Sequence, residues 1–215
     1  MTARVVLLFG FLAAASPAEV IDRIAVTVDN QVITASEITL EIRLTAFLNG
    51  DKLDFSPEAR RKAANRLIEQ KLIHREMQVG RYAAPAPEEV DPMLKGIKAQ
   101  RFSSAEEYRE ALARYGISEE ELKAHLLWQL TLLGFLAVRF RPAVEVTEAQ
   151  IQSYFERNLA ELKAQAGPAK KLTLDDVRDQ IRRILTDEAV DKQLDDWLAE
   201  ARKRSRIEFH QEAFQ

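Results

Sequence analysis

Cysteine is absent from this 215-residue sequence. Disulfide bonds and thiolate metal sites are therefore excluded, and so is lipid attachment through a cysteine side chain. A chain without these covalent supports takes its stability from the packing of a hydrophobic core. Apolar residues make up 47% of the sequence, which is enough to build one.

Glycine and histidine are scarce, and their positions exclude several kinds of active site. The seven glycines are too far apart in the sequence to form a phosphate-binding loop or a dinucleotide fingerprint, so ATP-driven action is not expected. The three histidines, His74, His125 and His210, lie in different predicted elements and lack the spacing of a zinc-binding helix. No Gly-x-Ser-x-Gly motif occurs. We expect no metal, no cofactor and no catalytic residue.

The charges of the two signs nearly balance. The sequence has 31 Lys and Arg against 34 Asp and Glu, a formal net charge of −3, and the two signs are interleaved along the chain. Such a balance gives no reason to expect a nucleic acid or an anionic membrane as partner. With few Gly and Pro, the composition is typical of a globular, helix-rich protein.

The first eighteen residues have the pattern of a secretory signal peptide. Arg4 precedes an apolar run over residues 5–15, and the small residues Ser16 and Ala18 follow it. Eleven apolar residues are too few for a transmembrane helix, which needs about 20. We therefore predict cleavage after Ala18 and export of a mature chain that is not inserted in the membrane.

Strand signals occur at both ends of the mature chain. Residues 20–28 and 32–34 are rich in β-branched residues and flank Asp29-Asn30-Gln31, which predicts a β-hairpin. Two strands alone are marginally stable in water. The alternating residues 206–209 predict a third strand that pairs with this hairpin and brings the two chain ends together.

Capping signals divide the rest of the chain into helices. Thr34, Ser104, Ser118 and Thr147 are each followed three residues later by Glu or Gln, and Ser56 precedes a proline. The predicted helices cover about 35–49, 57–79, 90–97, 105–115, 119–141, 148–162 and a long stretch from 173. The fold class is thus mainly α, a multi-helix domain with a small antiparallel sheet. The helix over 119–141 is apolar on nearly every side, so we expect it to be a central core helix or a binding surface.

Several short segments, taken in order, carry a resemblance to a known family. They are the strand pair Ile24–Ile33, the helix start Ser36-Glu37-Ile38, residues 66–73, Tyr115-Gly116-Ile117, residues 146–155 and residues 193–209. In this order they resemble the N-terminal chaperone domain of SurA-type foldases, which carry parvulin prolyl-isomerase domains. The resemblance spans nearly the whole mature chain.

The sequence departs from that family where the isomerase domain would be inserted. In the family, parvulin domains follow the helix that corresponds to Thr147–Asn158. Here only the thirteen residues 159–171 separate this helix from the closing one, far fewer than the roughly 50 of an independent domain. We therefore predict a signal peptide over 1–18, a chaperone core over 19–158, a linker over 159–171, and a closing helix and strand over 172–215.

The resemblance implies an ATP-independent periplasmic holdase without enzymatic activity. Its partners would be unfolded or extended polypeptides, with outer-membrane protein precursors as the expected clients. Large apolar side chains suit loose binding of many sequences. The residues predicted to contact clients are Phe47, Phe102, Tyr108, Leu112, Tyr115, Trp128 and Phe135.

Two other functions compete with the holdase. Family membership suggests a peptidyl-prolyl isomerase, although we expect that activity to be absent here. The apolar helix over 119–141 could instead form a permanent interface with one fixed partner, making the chain an assembly subunit, with a homodimer as one form of that interface. A proline-isomerisation assay tests the first alternative, and size measurement across concentrations tests the second.

Overall fold

The computed structural model of the chain describes residues 22–166 and 172–215. The predicted signal peptide and the last five residues of the predicted linker lie outside these ranges. Within them the chain forms seven α-helices and one three-stranded antiparallel sheet. The predicted fold class is therefore confirmed.

The sheet joins the two ends of the described chain. Strand β1 (Ile24–Val28) pairs with β2 (Gln31–Thr34) as an antiparallel hairpin, and β3 (Ile207–Phe209) pairs with the other side of β1. Asp29, in the hairpin turn, has a positive φ of 53°. Its carboxylate accepts a hydrogen bond of 2.8 Å from the backbone N–H of Arg206, just before β3. The predicted third strand and the meeting of the chain ends are confirmed.

The predicted helix starts are confirmed by their caps. Thr34 and Ser118 form reciprocal capping boxes with Glu37 and Glu121, and the Ser56 side chain accepts a hydrogen bond from the backbone at the start of the second helix. The helices are α1 (Ala35–Asn49), α2 (Pro57–Gly80), α3 (Asp91–Arg101), α4 (Ala105–Tyr115), α5 (Glu119–Arg139), α6 (Glu148–Ala166) and α7 (Leu174–Arg204).

Helix α6 is longer than the sequence signals indicate. The predicted helix ends at about residue 162, whereas α6 continues to Ala166, into the segment 159–171 that is predicted as a linker, so seven residues, 167–173, join α6 to α7. Near this end of α6, Leu162 is buried in a small apolar cluster with Ile151 of α6 and Ile181 of α7. Helix α6 and the first half of α7 thus form an antiparallel pair with a core of its own.

Two larger apolar clusters form the body of the protein. The main core lies against the sheet and gathers side chains from β1, α1, α2, the second half of α5 and the second half of α7. A second cluster gathers side chains from α1, α3, α4 and the first half of α5. Helices α1 and α5 run through both clusters and connect them.

Helix α5 is not buried on all sides, contrary to the expectation for a central core helix. Leu122, Leu126 and Phe135 are buried, but 59% of Leu133 and 65% of Val138 are exposed. The second half of α5 packs on the main core along one side, and no described residue covers the opposite side at these two positions. Among the described residues, no helix is both long and apolar enough to span a membrane.

Candidate functional site

Five of the predicted client-contact residues pack against one another in the second cluster. The Phe47 ring lies 6.1 Å from Phe102 and 5.6 Å from Tyr115, and Phe102 lies 5.3 Å from Tyr108, measured between ring centroids. Phe47, Tyr108 and Leu112 are buried there, while Phe102 and Tyr115 are half-buried. These aromatic side chains therefore form the interior of the small lobe built by α3 and α4.

The other two predicted residues belong to the main core. Phe135 is buried between Tyr82, Phe140 and Trp197, with ring centroids 5.3, 5.6 and 6.0 Å away. Trp128 is half-buried at the edge of this core. The structure thus does not bring the seven residues together in one groove, and four of them (Phe47, Tyr108, Leu112 and Phe135) could contact a client only if the core opened.

Trp128 lies at the centre of a surface cleft between α2 and α5. Three adjoining depressions, with volumes of about 320, 380 and 380 Å³, all include Trp128 and Gln70 in their walls. We call these depressions together the α2–α5 cleft. Its apolar wall residues include Leu40, Leu44, Leu67, Ile73, Leu132 and Leu194.

The cleft is long enough for a short extended peptide. Its wall on α5 runs from Glu121 to Leu132, and eleven steps of about 1.5 Å along a helix amount to roughly 16 Å. An extended chain advances about 3.3 Å per residue, so this length matches about five residues. The cleft therefore has the dimensions of a peptide-binding surface.

A buried polar cluster holds one wall of the cleft together. Glu41 of α1 has only 9% of its side chain exposed, and its Oε1 accepts a hydrogen bond of 2.6 Å from Nε of Arg66 on α2. Thr45 Oγ1 donates to the same oxygen at 3.3 Å, and Nδ1 of His125 on α5 lies 3.5 Å from Oε2. A buried carboxylate requires such partners. The cluster therefore joins α1, α2 and α5.

The pKa values of both histidines in the cleft lie below the ordinary value for histidine. Burial lowers the pKa of His125, an effect that the Glu41 carboxylate partly opposes and Arg66 reinforces. Burial and the nearby Lys71 ammonium lower the pKa of His74, whose ring centroid lies 4.7 Å from that of Trp128. Both shifts favour the uncharged form of the imidazoles beside Trp128.

The Glu41–His125 pair lacks the third member of a nucleophilic triad. In such triads, the imidazole nitrogen opposite the carboxylate contacts a hydroxyl or a thiol. Here the His125 Nε2 lies 3.3 Å from the Gln129 side-chain amide nitrogen, which is not a nucleophile. Within the described ranges, no three His, Asp or Glu side chains converge as metal ligands.

The sequence pattern predicts Trp128 as a binding residue but does not indicate its polar neighbours Glu41, Arg66 and Gln70. One signal for Glu41 was present, because this acidic residue stands between Leu40 and Ile42 in a helix with a mostly apolar face. Gln70 gives no comparable signal, since a glutamine on a helix is most often solvated. Its place in the cleft follows from how α2 packs on α5.

No protein-family model and no curated protein matches this sequence. The function is therefore inferred from the geometry of the cleft and from the order of the segments described above.

Proposed function

We propose that this chain is an ATP-independent periplasmic chaperone that binds unfolded polypeptides in the α2–α5 cleft. The observation that carries the proposal is the position of Trp128, a half-buried aromatic ring shared by three adjoining depressions with largely apolar walls. An indole ring offers a large contact area with little loss of side-chain entropy, so it can bind many different segments. Precursors of outer-membrane proteins are the proposed clients.

The sheet edges offer a second, weaker contact for an extended client. β2 and β3 are the outer strands of the described sheet, and 43% of Val32 on β2 is exposed. An edge strand presents unpaired backbone groups to which an extended segment can add. Because both edge strands are short, we assign the main binding energy to the cleft.

Aggregation suppression tests the proposal. An unfolded outer-membrane protein is diluted from denaturant with and without the purified protein, and light scattering is followed. We expect suppression by the wild type and a clear loss with Trp128→Ala. Val79→Ala is the matched control, since Val79 is 79% exposed and does not line the cleft. Equal suppression by both variants and the wild type would refute the cleft as the binding site.

An assembly subunit with one fixed partner is the second candidate. Leu133 and Val138 are largely exposed on the second half of α5, and exposed apolar side chains on one helix are a feature of protein interfaces. Light scattering across concentrations, with and without unfolded client, separates the two candidates. A stable oligomer whose size does not change when client is added, and which dissociates in the double variant Leu133→Asp/Val138→Asp, would favour the assembly subunit over the chaperone.

The prolyl-isomerase alternative gains no support from the described residues. Where the resembled family carries a parvulin domain, α6 and α7 are joined by seven residues, far below the roughly 50 of a folded domain. We propose that the chain is not an enzyme.

A further inference from the structure

We propose that the cleft recognises its client through the client's main chain, and that the Gln70 side chain forms hydrogen bonds with the main-chain groups. This inference rests on the proposed function and adds the class of ligand: an extended segment with free backbone N–H and C=O groups, whatever its side chains. Gln70, like Trp128, lies in the wall of all three depressions.

The hydrogen-bonding side chain of Gln70 has no partner among the described residues. It is half-buried in the middle of α2, and it makes no hydrogen bond with any other residue of the described chain. A glutamine side chain has two donor hydrogens and an acceptor oxygen. The amide atoms of Gln70 remain accessible to water, so a ligand that supplies both a donor and an acceptor can replace that water.

The charged residues that line the cleft already have partners within the protein. Glu41 pairs with Arg66, as described above, and Lys71 pairs with Glu37 at 3.7 Å. The remaining two are Glu69, which accepts from Arg202 at 2.8 Å, and Glu121, which accepts from the backbone N–H of Ser118 at 2.7 Å. Both cations of the wall, Arg66 and Lys71, are therefore paired with a carboxylate, so the cleft offers no free positive charge to an anionic ligand.

A polypeptide main chain supplies both a donor and an acceptor to the Gln70 amide. Each non-proline residue carries one strong donor and one strong acceptor, and this feature is common to all unfolded clients. A second amide, Gln78, lies eight residues further along α2 and lines the depression beside Tyr82. Eight helical residues span roughly 12 Å, the length of about four extended residues. The two glutamines can therefore contact main-chain groups of one bound strand, while its side chains pack on Trp128 and the leucines.

Methylating the peptide nitrogens one at a time tests this inference. The probe is a fluorescent ten-residue segment of an outer-membrane β-strand, together with its set of singly N-methylated analogues. With the wild type, we expect at least one methylated position to weaken binding by about fivefold to tenfold, the loss of one hydrogen bond. Gln70→Leu should weaken binding of the unmethylated peptide by a similar factor. The affinity of this variant should not change further when that position is methylated.

Matched variants separate the possible outcomes. Gln152→Leu, on α6 outside the cleft, should bind the unmethylated and the methylated peptides with the same affinities as the wild type. Circular dichroism checks the fold of each variant. If Gln70→Leu keeps the full penalty at every methylated position, main-chain recognition by Gln70 is refuted. If Trp128→Ala binds every peptide as tightly as the wild type, the cleft itself is refuted, and the proposed function with it. The two failures are thus distinguishable.

Discussion

Removing Arg66 should destabilise the protein more than neutralising its partner Glu41. Glu41 has 9% of its side chain exposed and Arg66 has 43%, so the two members of this ion pair differ in access to water. Without Arg66, a carboxylate stays buried without its main partner. Without the charge on Glu41, the guanidinium can turn to solvent.

The expected magnitudes follow from this asymmetry. Loss of a partner from a fully buried pair costs about 3–5 kcal/mol, and solvent around Arg66 reduces this figure because exposed charges are screened. We expect Arg66→Met, which keeps most of the aliphatic stem, to lower the free energy of unfolding by about 2–3 kcal/mol. Glu41→Gln keeps an acceptor oxygen and should cost about 1 kcal/mol.

Urea unfolding, followed by tryptophan fluorescence, measures both changes. The double variant Glu41→Gln/Arg66→Met should cost less than the sum of the single variants by at least about 0.5 kcal/mol, as expected for residues in direct contact. Equal losses in the two single variants, or strictly additive losses, would show that the pair does not hold α1 to α2 in the way described.

Three further predictions concern pH, a turn and catalysis. The lowered pKa values of His74 and His125 mean that the unfolded chain takes up protons first on acidification, so the free energy of unfolding should fall as the pH drops below about 6.5. His125→Gln should flatten this pH dependence in urea titrations, and an unchanged slope would contradict the assignment. Gly116→Ala should lower the melting temperature at a cost of about 1 kcal/mol, because Gly116 has a φ of +64° and its new Cβ would lie 3.0 Å from Arg43; unchanged melting would refute this. In a proline-peptide isomerisation assay, the protein should give no rate above the uncatalysed background, and any saturable acceleration would overturn the non-enzymatic assignment.

Local signals in the sequence were sufficient for most of the secondary structure. The helix start at Thr34 could be predicted because its capping box with Glu37 is a short-range interaction. The pairing of β3 with the N-terminal hairpin could be predicted because an isolated hairpin requires a further partner, and the structure shows that β1 is the strand it pairs with. The capping box depends on residues three positions apart, and the need for a third strand follows from the marginal stability of an isolated hairpin.

The extent of α6 and the placement of the site could not be predicted in the same way. Helix α6 continues to Ala166, past its predicted end at about 162, and Leu162 lies in one apolar cluster with Ile181 of α7, a contact between segments that the sequence pattern does not connect. The aromatic residues chosen as client contacts were large and apolar, and for Phe47 and Tyr108 these same properties led to burial. Trp128 lies in a cleft because of the packing of α2 on α5, a tertiary feature.

Binding at Trp128 is the central claim, and the chain allows a direct test because it has two tryptophans. In Trp197→Phe, fluorescence reports on Trp128 alone. We predict a saturable change in emission when an unfolded outer-membrane peptide is added, with a midpoint equal to the Kd measured by anisotropy of the labelled peptide. Binding by anisotropy without any change in Trp128 emission would contradict the account.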